Sequence, residues 1–201
     1  MLTTPTTAFL SDPEIDAAVS AAYEEDLSSD GYVNNLTRVW CWRPDVLASF
    51  QTVRADLTAS SGLSRLELAV LVTATTAARG DSYCTLAWGT RLARLSSEAT
   101  AESVVLGNPT GLSDREVALA HWARQVVLDP NATTQADVDR LRESGFSDRE
   151  IFEATVFIAY RLAFATVNDA LGAAPDQELI ARVPPLVREA VTFGRANAVG
   201  G

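Results

Sequence analysis

Two cysteines, Cys41 and Cys84, are the side chains of this 201-residue chain best suited to covalent chemistry. Cys84 stands in Gly80-Asp81-Ser82-Tyr83-Cys84-Thr85-Leu86-Ala87-Trp88-Gly89, where a helix is expected to begin. The positive end of a helix dipole favours a thiolate on the first turn, and the thiolate is the nucleophile. Asp81, three residues earlier, works against it, because a carboxylate disfavours a second negative charge nearby. Trp88, one turn after Cys84, supplies volume and a single N–H donor and cannot relay a proton. It suits either a packed aromatic plug or a platform for a flat ligand. Cys41 lies in Val39-Trp40-Cys41-Trp42, an aromatic stretch expected to be buried.

The remaining candidates are sparse. His121 is the one histidine, mid-helix in Ala120-His121-Trp122 and off the stripe of Leu119, Trp122, Ala123 and Val126. It reads as a structural or surface residue, or as a proton relay borrowed from elsewhere in the fold. Glu67 follows Ser64 by three residues, the spacing of a capping box. Arg161 and Asn168, seven apart, share a helix face, as a solvated stripe or as the polar side of a pocket. No lysine is present, which excludes Schiff-base chemistry. One histidine and two distant cysteines form no metal-ligand cluster, and no cofactor is expected.

Composition bounds the partners. A net charge of −10 repels phosphate backbones and anionic membrane surfaces, so neither nucleic acid nor membrane is expected, and it favours solubility. The longest apolar run, Ala154 to Tyr160, is too short to span a bilayer. No basic segment followed by an apolar run opens the chain, so a cytoplasmic, reducing location is expected.

Apolar spacings of three and four dominate and predict an all-α protein. Helices are expected over 13–25, 30–41, 44–59, 64–79, 82–95, 113–128, 134–144, 147–171 and 184–195. Three starts share one signal: Gly62-Leu63-Ser64-Arg65-Leu66-Glu67, Gly111-Leu112-Ser113-Asp114-Arg115-Glu116 and Gly145-Phe146-Ser147-Asp148-Arg149-Glu150. Each is a capping box behind an apolar residue, a weak repeat consistent with two helical-hairpin halves. The 147–171 segment is apolar nearly all the way round, as suits a central or subunit-interface helix. The organisation reads as an N-terminal arm and first helix (1–29), a helical domain (30–195) and a flexible tail (196–201).

Residues Leu63 to Leu95 resemble the core of the alkylhydroperoxidase D-like / carboxymuconolactone decarboxylase family, in its peroxidase-related branch. In that family this helix pair carries a Glu, a Cys-x-x-Cys and a His four residues after the second Cys. Leu63-Ser64, Tyr83-Cys84 and Gly89 fix the register without gaps. Cys84 then takes the second Cys position, Asp81 the first, Trp88 the His position and Ala69 the Glu position. Glu67, two residues from Ala69, points about 200° away around the helix. The resemblance extends over roughly residues 30 to 180, through Gly31 to Leu36, Arg43-Pro44, Thr134 to Leu141 and Asn168 to Gly172. It implies an AhpD-like helical bundle that assembles as a homo-oligomer.

Two functional readings stand open. One is a diverged member without disulfide-based peroxidase turnover that binds a small molecule in the residual pocket, with Asp81, Tyr83 and Trp88 on its wall. The other is an antioxidant, one-cysteine peroxidase-like oxidoreductase using Cys84, with Glu67 and His121 as the remaining catalytic candidates.

Overall fold

The computed structural model describes residues 8–59 and 61–195. The expected tail at 196–201 and most of the Thr-rich opening lie outside them. Among the described residues 72% are helical and none forms a strand. The elements are α1 (Ala17–Ser29), α2 (Asn35–Trp40), α3 (Pro44–Ala59), α4 (Arg65–Arg79), α5 (Ser82–Leu95) and α6 (Glu98–Leu106). They continue with α7 (Asp114–Leu128), a 3-10 turn at Pro130–Ala132, α8 (Gln135–Glu143), α9 (Asp148–Ala170), α10 (Gln177–Arg182) and α11 (Pro185–Ala190).

Caps explain where the boundaries depart from the periodicity. The first helix starts at Ala17, because the Asp16 side chain accepts from the Val19 N–H and so closes the N-terminus there. The segment expected at 30–41 shrinks to α2, since Gly31 turns the chain at φ +84°. The last helix stops at Ala190, short of 195. Helix α6 was not expected: Ser97 caps it, accepting from Thr100, and left-handed Gly107 ends it.

The central helix is α4. Ala69, Val70, Leu71, Val72, Thr73 and Ala74 have no exposure, and α5, α6, α7 and α9 pack around them. Helix α9, expected to be central or at a subunit interface, is not buried all round within the chain. Ile151, Ala154, Phe157, Ile158 and Ala165 face inward, while Phe152 is 68% exposed.

All three repeated starts are capping boxes with both reciprocal bonds made. Arg115 joins them at one end of the bundle. Its Nε donates to Glu67, its Nη2 to Glu150 Oε1 at 2.6 Å and its Nη1 to the Gly145 carbonyl. The guanidinium lies 3.7 Å from the Phe146 ring centroid.

A second, smaller core forms outside α9 from Val19, Trp40, Cys41 and Leu47, with Phe50 and Phe164 against it. Trp40 stacks on Phe164 at 4.9 Å, and its indole N–H donates to Asn168 Oδ1 at 2.7 Å. The seam between this cluster and the main core holds the site.

Candidate functional site

Helix α4 ends at Gly80, whose left-handed φ of +80° turns the chain directly into α5. Asp81 caps α5: its Oδ1 accepts from the Cys84 N–H at 2.9 Å, and its carbonyl accepts from Thr85 Oγ1 at 2.6 Å. The cap fixes Cys84 on the first turn. Downstream, Gly89 lets α11 approach, since a Cβ there would meet Val187 Cγ1 at 2.7 Å.

Cys84 lines a cavity of about 310 Å³. Tyr83, Cys84 and Arg161 form its buried floor; Trp88, Phe50, Tyr160 and Phe164 give half-buried aromatic walls; Glu25, Asp30 and Arg54 stand exposed at its mouth. Arg161 Nη2 donates to Cys84 Sγ at 3.1 Å. Its guanidinium carbon lies 5.7 Å from the Trp88 ring centroid and 5.2 Å from that of Phe164. At 4% exposure Arg161 is buried, as is Asn168. The shared face of Arg161 and Asn168 is therefore buried, with Arg161 on the cavity and Asn168 against Trp40, and the solvated-stripe alternative is set aside.

Burial dominates the electrostatics. It pushes the Cys84 thiol well above its ordinary value; the Asp81 carboxylate pushes the same way, and Arg161 opposes both. Asp81 is itself raised by burial, against its bonds to Cys84 and the charge of Arg161. Tyr83 donates its hydroxyl to Asp176 Oδ2 just before α10, and Asp176 Oδ1 accepts from the Asn35 N–H at 2.9 Å. Burial lifts Asp176 to about 6.

The structure brings together Asp81, Tyr83, Cys84 and Trp88. Glu67 does not line the cavity. It is held by Ser64 and Arg115, so the reciprocal cap and an ion pair occupy both its oxygens. His121 is exposed on α7, beside a separate depression walled by Trp122, Gln125, Asp137 and Arg140. Ala69 is fully buried in α4. Cys41 and Cys84 are both free and buried. Sequence reasoning passed over Arg161 as a partner of Cys84; its signal was an arginine on an otherwise apolar helical face.

No protein-family model and no curated relative matches the sequence. Solved structures do match. An uncharacterized peroxidase-related protein with an alkylhydroperoxidase AhpD core, from Ralstonia eutropha JMP134, aligns over 89% of this chain and 98% of its own at 24% identity and a TM-score of 0.77. An uncharacterized peroxidase-related protein from Silicibacter sp. TM1040 aligns over 89% and 97% at 21% identity, also with a TM-score of 0.77. The debrominase Bmp8 aligns over 92% and 97% at 14% identity and a TM-score of 0.71. At these identities the likeness speaks for architecture: the chain has the all-helical AhpD-like fold.

Proposed function

We propose that this chain is a diverged AhpD-like protein that binds a small organic molecule in the cavity above Cys84 and runs no disulfide-based peroxidase cycle. The observation that carries the reading is the floor of that cavity. One thiol, Cys84, stands there below an indole, Trp88, at the place of the relay histidine, while the place of a resolving cysteine holds the carboxylate of Asp81, which caps the helix behind Cys84 and does not line the cavity. A pocket of about 310 Å³ walled by aromatic rings, with a few polar groups converging at its base, is of the size and kind that takes a small ligand. A variant of the debrominase Bmp8 in complex with 2,3,4-tribromopyrrole is precedent for a flat ring in this fold.

The test has two arms. Alkyl hydroperoxide turnover with a dithiol reductant is expected at background. Single-ring fragments, screened by saturation-transfer NMR, are expected to bind the wild-type protein and to be lost in Ala87→Phe, which fills the cavity. Absence of any fragment binding, or binding indifferent to Ala87→Phe, would count against the pocket.

Arg161 supports a second reading, a one-cysteine peroxidase-like enzyme. A thiolate at Cys84, stabilised by the guanidinium, would attack a hydroperoxide oxygen, giving a sulfenic acid and an alkoxide that takes up a proton. One external thiol would condense with the sulfenic acid to a mixed disulfide, releasing water, and a second would displace Cys84 as the thiol. Steady turnover abolished by Cys84→Ser would favour this reading over the first.

A homo-oligomer in a reducing cytoplasm completes the proposal. Phe152, 68% exposed on α9, would be covered in such an assembly. Among the described residues no helix is long and apolar enough to cross a membrane. Light scattering should give a dimer or larger at micromolar concentration, and a monomer mass would reject the assembly.

A further inference from the structure

Resting on the binding reading above, we infer that the ligand is a flat, singly anionic molecule, an aryl carboxylate or close analogue. Its anionic group would meet Arg161, and its ring would lie among Trp88, Phe164 and Phe50.

The argument begins with Arg161. A guanidinium at 4% exposure has given up its hydration and requires an anion or several acceptors in return. Among the described residues it makes no ion pair, its one hydrogen bond goes to the Cys84 sulfur, and its Nε has no partner. A neutral thiol is a weak acceptor. Trp88 and Phe164 offer only their ring faces at 5.7 and 5.2 Å. The Asp81 carboxylate acts on it only through space, with one oxygen held by the Cys84 N–H. This is a cation fixed on a cavity floor with donor capacity to spare. A planar carboxylate matches that fork in shape and charge.

The walls set the rest of the molecule. Rings at Trp88, Phe164, Phe50 and Tyr160 favour an unsaturated, flat body. The mouth limits the charge. Glu25, Asp26 and Asp30 line it, with Arg54 on the same rim and Arg182 behind it, donating to the Asp30 carbonyl. A second anionic group directed outward would face three carboxylates.

Calorimetric titration of the intact protein tests this with benzoate, cinnamate and 2-naphthoate, each beside its primary amide, and with terephthalate beside benzoate. In the wild type the acids should bind about tenfold or more tightly than the amides. Terephthalate should bind more weakly than benzoate. Arg161→Met should erase the acid preference, and Arg161→Lys should keep part of it. Acid and amide binding alike to the wild type would overturn the anion assignment while leaving the pocket standing. No binding of either series up to roughly 10 mM would overturn both. Terephthalate binding more tightly than benzoate would overturn the single-charge limit. The wild-type comparison decides the matter even if Arg161→Met fails to fold.

Discussion

Arg161 donates from Nη2 to the sulfur of Cys84 across 3.1 Å, although 77 positions separate them in the chain. The contact places a fixed cation against the thiol that the helix dipole also favours. Opposing both are burial, the strongest influence, and the Asp81 carboxylate.

The balance predicts a sluggish thiol. In a Cys41→Ala background, iodoacetamide followed by mass spectrometry should label Cys84 slowly at neutral pH in native protein. Removing Cys41 keeps the assignment clean, although burial already pushes its own thiol up to about 11. Asp81→Asn retains a capping side chain and removes the like charge, so labelling should speed up. Arg161→Met removes the cation in contact with the sulfur and should slow it further. Rapid labelling of native Cys84 at pH 7 would reject this account and strengthen the enzyme reading.

Gly89 supports the same segment from behind. A methyl group there would meet Val187 Cγ1 at 2.7 Å, and Val187 is fully buried on α11. Overpacking at such a contact costs about 1–3 kcal/mol. Gly89→Ala should lower the denaturant midpoint accordingly, and pairing it with Val187→Ala should recover most of the loss. Equal stability of Gly89→Ala and wild type would mean that α11 shifts freely, contrary to its packing on α5 and α6.

The three Ser-x-x-Glu starts were legible because they are local: a few residues decide them, whereas the cap at Asp81 was passed over because its carboxylate was read only as a charge near Cys84. Helix α6 was missed because its nine residues are short and its termini, Ser97 and Gly107, fall among small polar residues that also suit a loop. The site was half legible. Asp81, Tyr83, Cys84 and Trp88 fall on the cap and first two turns of α5 and could be read from the register. Arg161, Phe50 and Asp176 reach the same neighbourhood through tertiary packing; the spacing of Arg161 and Asn168 left a pocket face open, but nothing along the chain paired Arg161 with Cys84. Likewise, α9 read as apolar all round because its half-buried Val156, Tyr160, Leu162 and Val167 look like core residues when burial is unknown.

Arg115 offers a test of the capping-box repeat. It bonds Glu67 and Glu150, the acidic members of two boxes, and the Gly145 carbonyl before the second. Burial of Glu67 opposes its ionisation, yet the Ser64 N–H and Arg115 prevail, holding the carboxyl below its ordinary value. A depressed carboxyl contributes stability that is present above its unfolded pKa and lost as pH falls through the folded one. Arg115→Met should therefore cost about 1–3 kcal/mol at neutral pH, with the deficit shrinking in acid. A deficit independent of pH would show that packing on Phe146, rather than charge, is what Arg115 contributes.

Asp176 should behave in the opposite sense. Burial lifts it from an ordinary 3.8 to about 6, while the bonds from Tyr83 and the Asn35 N–H only partly oppose the shift. Between those two pH values the folded chain holds more of this proton than the unfolded chain. Stability from this group therefore falls as pH rises from about 3.8 to 6 and is level above that. A shift of this size corresponds to about 2–3 kcal/mol across the window. Asp176→Asn cannot ionise, yet its amide can still accept from the Asn35 N–H and donate to the Tyr83 hydroxyl. Relative to wild type, the variant should gain about 2–3 kcal/mol on going from pH 4 to pH 7.5, whatever its absolute stability at either. Asp169, also raised to about 6 by burial and then by Asp81, acts in the same window in both proteins and cancels, as do Glu67 and Glu150. Urea unfolding at the two pH values measures the difference directly. A constant offset between variant and wild type would mean that Asp176 titrates normally. The link from Tyr83, beside Cys84, to the segment before α10 would then be an ordinary solvated contact.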